Sequence, residues 1–188
     1  MIWIVKITKG VNRNMDFFEV VGKRYSHKER FLPESVPMDA LKRIAGAGLA
    51  APTGNNTQCV KLVILSNRDE VQKLGDIVTT EALSTAPAAI AVLTDSEGHR
   101  KPYNFEVEDY SAAATQMLLA ATALGYVSLW LDSPFFDDES QKAALSVLGA
   151  SDRYHLRVVL PIGLPCGEGS RREKLSFEER VSYEKLTI

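Results

Sequence analysis

Three mainly apolar runs, residues 60–65, 88–93 and 156–162, most restrict what this chain can become. Each has the length of a strand and is rich in Val, Ile, Leu or Ala, so helices must wrap around a modest sheet to keep these runs out of water. Helical periodicity supplies the cover. A short helix is expected over residues 16–22, and a second begins near Pro37, with Leu41, Ile44, Ala45, Gly48 and Leu49 on one side until Pro52 stops it. Further helices are expected over 69–78 and 137–148, and a strand over 127–131. The longest helix, 105–124, returns Val107, Tyr110, Ala114, Met117, Ala121 and Leu124 to one face and closes at Gly125 as a left-handed cap. Its Ala112, Ala113, Ala114, Ala120, Ala121 and Ala123 permit close approach of another helix, in a dense core or at a subunit interface.

The 188 residues suit one ordinary domain, and no Gly/Ser-rich linker, repeat or low-complexity run divides them. We expect a domain over 15–188 preceded by an extension, 1–14, whose apolar start is too short for a signal-peptide core or a membrane span. A cytoplasmic protein is the expectation. A formal charge of −2 gives no electrostatic footprint for nucleic acid. Cys59 and Cys166 stand far apart and outside any C-x-x-C pattern, which predicts two buried free thiols rather than a disulfide framework or a zinc site. His27, His99 and His155 have no metal-ligand spacing.

Two segments carry candidate chemistry. Lys23-Arg24-Tyr25-Ser26-His27-Lys28 offers cations and a hydroxyl, as a phosphate needs. Ala51-Pro52-Thr53-Gly54-Asn55-Asn56-Thr57-Gln58 offers main-chain groups freed by Pro and Gly, together with the neutral amides of Asn56 and Gln58, as a planar polar ring edge needs. Either segment alone reads better as a solvated surface or a locally satisfied loop. Together they point to a flavin nucleotide. No G-x-S-x-G elbow, G-x-x-x-x-G-K-[ST] loop or G-x-G-x-x-G turn is present, and the acids Asp137, Asp138 and Glu139 open a helix, where its dipole explains them.

With both segments in place, the chain from Met15 onward resembles the nitroreductase family of FMN-dependent oxidoreductases. The family's R-x-S-x-[RK] matches Arg24 to Lys28, its AP-[ST]-x-x-N-x-Q matches Ala51 to Gln58, and its A-L-G matches Ala123-Leu124-Gly125. Its I-x-[IL]-G-x-P matches Leu160 to Pro165, and its basic tail followed by E-E matches Arg172-Glu173-Lys174 before Glu178-Glu179. This chain departs in having Cys59-Val60 where Pro-Trp is common, in exchanging Arg and Lys in the tail, and in lacking an obvious flavin-contacting Asn between Leu74 and Thr85.

The resemblance implies an α+β fold: a three-layer sandwich with a central, mostly antiparallel sheet flanked by helices, in an intertwined homodimer with FMN between subunits. It assigns Arg24, Tyr25, Ser26, Lys28, Arg172 and Lys174 to the phosphate and ribityl chain, and leaves Arg30 and Arg171 as surface groups. It assigns Pro52, Thr53, Asn56 and Gln58 to the ring and its pyrimidine edge, and the backbone of Leu131, Asp132 and Ser133 to the flavin N5. The implied reaction is ping-pong hydride transfer from NADH or NADPH to a nitroaromatic, quinone or similar small-molecule acceptor, with the chemistry carried by the flavin rather than by a side chain. Alternatives are an FMN carrier or sensor, or a specialised relative such as a dehalogenase or a flavin-fragmenting enzyme, for which residues 96–104 would be a short cover.

Overall fold

The computed structural model describes residues 15–98 and 102–186. The expected extension 1–14 lies outside the described residues, and the expected cover over 96–104 lies partly outside them.

The sheet is built from β1 (Val60–Leu65), β2 (Ala88–Asp95), β3 (Val127–Ser128) and β4 (Tyr154–Gly163), in the order β1-β2-β4-β3. All three pairings are antiparallel. Every residue of β2 is buried, because the strand is covered on both sides. Its side chains alternate between two cores, as a strand's must. Ala89, Ala91 and Leu93 pack with Val71, Leu74, Leu83, Phe135 and Leu145. Ala88, Ile90 and Val92 pack with Leu41, Ile44, Met117 and Leu160 on the other face.

The first face is covered by α3 (Arg68–Ile77), α4 (Glu81–Thr85) and α6 (Asp138–Val147), the second by α2 (Met38–Leu49) and α5 (Glu106–Ala123). Three layers result. At the crossing of α2 and α5, a Cβ added to Gly48 would lie 2.7 Å from Met117 Cγ and 3.2 Å from the Ala113 carbonyl oxygen, so the small residues serve a close helix contact within one chain. The remaining helix, α1 (Phe17–Lys23), starts at Asp16, whose carboxylate accepts from the Glu19 amide.

Several expectations need correction. The strand expected over 127–131 is only two residues long and resumes as a single bridge between Leu131 and Val159. Continuing the β3–β4 register would set Leu129 opposite Pro161, which has no N–H to donate. Leu49 and Val107, placed on buried faces by periodicity, are exposed in the terminal turns of α2 and α5. The five-residue α4, capped by Thr80, is too short for periodicity to find. Cys59 is buried as expected, but Cys166 is exposed. Among the described residues no helix is long and apolar enough to cross a membrane, and no group of three or more His, Cys, Asp or Glu side chains could hold a metal ion.

Candidate functional site

The chain leaves α1 at Arg24 in an extended conformation, bridges Ser26 to Ser128 of β3, and pairs Phe31 with Pro165. His27 is fully buried; its amide donates to the Ser128 carbonyl at 3.0 Å and its Nε2 to the Arg30 carbonyl at 2.9 Å. With His27 anchored inward, the extended backbone turns its neighbours Ser26 and Lys28 the other way.

They face a cleft of about 520 Å³ whose lining includes Arg24, Tyr25, Ser26, Lys28, Arg172 and Lys174. The six cofactor-site residues expected from the beginning and end of the sequence thus converge. The tail reaches them because Gly169 lies flat on Tyr25: a Cβ there would fall 2.1 Å from the ring. Burial and the nearby Glu29 push the Tyr25 phenol above its ordinary pKa, so it stays neutral.

Arg171, expected at the surface, also lines this cleft. Its guanidinium donates to the Gly22 and Lys23 carbonyls at the end of α1 and stacks over Tyr25 at 5.5 Å. Arg30 does pair at the surface, with Glu81 at 3.3 Å.

The second segment forms a 3-10 turn, Gly54–Asn56, with Asn55, Asn56 and Gln58 in the left-handed region at φ 53°, 52° and 52°. Pro52, Asn56 and Gln58 are exposed and Thr53 is half-buried. Gln58 Nε2 donates to Asn56 Oδ1 at 3.3 Å, so part of the amide capacity is used locally. The turn rests on the start of α5, where the buried Asp109 accepts from the Gly54 amide at 2.7 Å, the Thr57 hydroxyl at 3.0 Å and the Cys59 thiol at 3.4 Å. Sequence reasoning missed Asp109. Its signal was a carboxylate in step with Ala113 and Met117 on the buried stripe of α5.

Residues 131–133 have structural work of their own. Leu131 is buried, and both its N–H and C=O are paired with Val159, at 3.1 and 2.8 Å. Asp132 accepts from Trp130 Nε1 at 2.8 Å and from the Ser133 amide at 2.6 Å, capping the 3-10 turn Ser133–Phe135.

The two principal segments are not neighbours within one chain. Ser26 pairs with Ser128, which sits beside Ile162 and therefore at the Ala88 end of β2. The loop before Cys59 lies at the other end, where the Asp95 amide donates to the Cys59 carbonyl. β2 separates them by its eight-residue length, about 23 Å at strand rise.

The chain matches the family described as Nitroreductase family over residues 21–94 and 78–164. It belongs to the nitroreductase family of oxidoreductases. A relative from Archaeoglobus fulgidus, provisionally named NADH dehydrogenase/NAD(P)H nitroreductase, is 32% identical over 129 residues, 68% of this chain and 74% of its own length. A solved structure of a provisionally named nitroreductase from Desulfovibrio desulfuricans, in complex with FMN, has TM-score 0.78 at 24% identity, over 93% of this chain and 100% of that one. The FMN-dependent nitroreductase of Clostridium difficile R20291 has TM-score 0.77 at 22% identity, over 89% and 98%. These likenesses bear out the expected α+β, three-layer, nitroreductase-like fold.

Proposed function

We propose that this protein is a cytoplasmic FMN-dependent oxidoreductase, acting as a homodimer, that passes a hydride from NADH or NADPH to a nitroaromatic, quinone or similar small acceptor in two separate half-reactions. The observation that carries this reading is the cleft. Arg24, Lys28, Arg172 and Lys174 meet the Ser26 hydroxyl there, on a chain whose formal charge is −2. Gathered cations repel one another, and a phosphate monoester, close to doubly charged, offsets that repulsion while accepting their charge-assisted hydrogen bonds. The residues therefore fit the phosphorylated end of FMN. When bound, FMN supplies hydride acceptance and donation at N5.

The chain's own groups hold and orient. The guanidinium of Arg24 or Arg172 can present two parallel donors, whereas Lys28 and Lys174 act as point charges. Thr53 and Asn56, at a turn with no buried residue, offer uncharged donors and acceptors to a pyrimidine edge. With the Leu131 backbone paired to Val159 and the Ser133 amide taken by the Asp132 carboxylate, the Asp132 N–H and the Ser133 hydroxyl remain to meet a ring.

Because loop and cleft lie at opposite ends of one chain's sheet, a second copy is what sets a loop beside each cleft. Apolar surface is present for that copy in the exposed Phe17, Phe18, Leu175, Phe177 and Tyr183.

The test is the absorbance of the protein as purified and after addition of FMN, followed by anaerobic mixing with each nicotinamide. We expect bound flavin that NADH or NADPH bleaches and a nitroaromatic or quinone restores. Protein that takes up no FMN would overturn the reading; bound flavin that neither nicotinamide bleaches would make the chain a carrier or sensor.

A further inference from the structure

We propose that Asp109, buried in the first turn of α5, is the positioning residue that holds the 53–58 loop in the shape it presents to a ligand. The identification of that ligand as flavin rests on the function proposed above; the holding of the loop does not.

The loop is costly as it stands. Asn55, Asn56 and Gln58 have φ of 53°, 52° and 52°, a region that L residues avoid and that Asn tolerates better than Gln. Such a conformation persists only where its surroundings over-determine it. The loop's own bonds are Asn56 N–H to the Thr53 carbonyl at 3.1 Å, Thr57 N–H to the Gly54 carbonyl at 3.2 Å, Gln58 N–H to Thr53 Oγ1 at 3.3 Å and Gln58 Nε2 to Asn56 Oδ1 at 3.3 Å. They close the turn without fixing it to the body of the protein, and no residue of Gly54–Asn56 is buried.

Fixing comes from α5. Asp109 is 2% exposed, and its two oxygens grip the chain on both sides of the left-handed pair: Oδ1 takes the Gly54 amide at 2.7 Å, and Oδ2 takes the Thr57 hydroxyl at 3.0 Å and the Cys59 thiol at 3.4 Å. The Phe105 ring forms the floor; a Cβ on Gly54 would lie 2.2 Å from it. One carboxylate and one ring therefore mould a turn that has no core side chain of its own.

Asp109→Ala and Asp109→Asn are compared with wild type and with Leu74→Ala, which empties the opposite core face. Amide hydrogen exchange is followed at Gly54 in apoprotein, and FMN affinity by titration of the same apoprotein. In Asp109→Ala we expect Gly54 to exchange at least about tenfold faster, with β2 unchanged, and FMN to bind at least about tenfold more weakly. Asp109→Asn should recover most of both, because its oxygen still accepts from Gly54 and the Thr57 hydroxyl can turn to accept from its NH₂. Leu74→Ala should lower Tm and leave FMN affinity unchanged. Wild-type exchange at Gly54 in Asp109→Ala overturns the proposal, as does an equal loss of affinity in Leu74→Ala. If wild-type protein takes up no FMN, the flavin reading fails, and the exchange result alone decides the role of Asp109.

Discussion

Arg171 reaches across 148 residues of sequence to donate to the Lys23 carbonyl at 2.6 Å, and so fastens the tail to the end of α1. A guanidinium at a helix C-terminus satisfies carbonyls the helix cannot, and offsets the negative end of its dipole beside a cleft read as an anion site. Removing it should leave those carbonyls facing the ligand's phosphate. We expect Arg171→Lys to recover only part of the roughly tenfold loss of FMN binding in Arg171→Ala, since an ammonium lacks the planar guanidinium that spans both carbonyls and stacks over Tyr25. Titration of apoprotein with FMN measures both.

Cleft and loop occupy opposite ends of one sheet, so complementation between damaged subunits is the sharpest test of a shared site. In the proposed homodimer, Arg24→Glu and Asn56→Arg should each bind FMN poorly. Unfolded together and refolded, they should recover about one quarter of sites at wild-type affinity, because half the dimers are mixed and each mixed dimer holds one intact site. No recovery would mean that the two segments serve separate purposes.

Burial, reinforced by the hydrogen bond to Asp109, pushes the Cys59 thiol up to about 11. A raised thiol pKa contributes stability that is complete below the unfolded value of about 8.5 and is lost as pH rises toward and through the folded one. Tm should therefore fall more steeply from about pH 8.5 upward in wild type than in Cys59→Ala. In native protein at neutral pH a thiol reagent should modify Cys166 alone, with Cys59 reacting only on unfolding.

At the acid end the expected slope reverses. Arg153 clamps Asp95 through Nε at 2.7 Å and Nη2 at 2.6 Å, and this pairing, with the Glu97 amide, holds the buried carboxyl below its usual range. The stabilisation is complete above the unfolded value of about 3.9 and fades as pH falls through the lowered one. Asp95→Asn should be less stable at neutral pH and show a flatter fall in Tm below about pH 4, measured by thermal denaturation.

Local rules located much of this molecule. β1 spans the same residues as the apolar run, Gly125 closes α5 at φ 85°, and Asp137 caps α6 by accepting from the Ser140 amide at 2.9 Å. Each depends on neighbours within a few positions. The cation cleft was legible because its residues stand in two short clusters, whereas Arg171 was not, since its partners are carbonyls that no side-chain pattern reveals. Asp109 became interpretable only once its step on α5 was known to face the 53–58 loop. The gap between cleft and loop is a property of strand order, which periodicity along the chain does not encode.

The Tyr25–Gly169 contact has a consequence for how the protein is made. A ribosome emits residue 24 well before residue 174, and β4 lies between them, so the two halves of the cleft emerge on either side of the whole sheet. The cleft is therefore complete only once every strand of the sheet has been made.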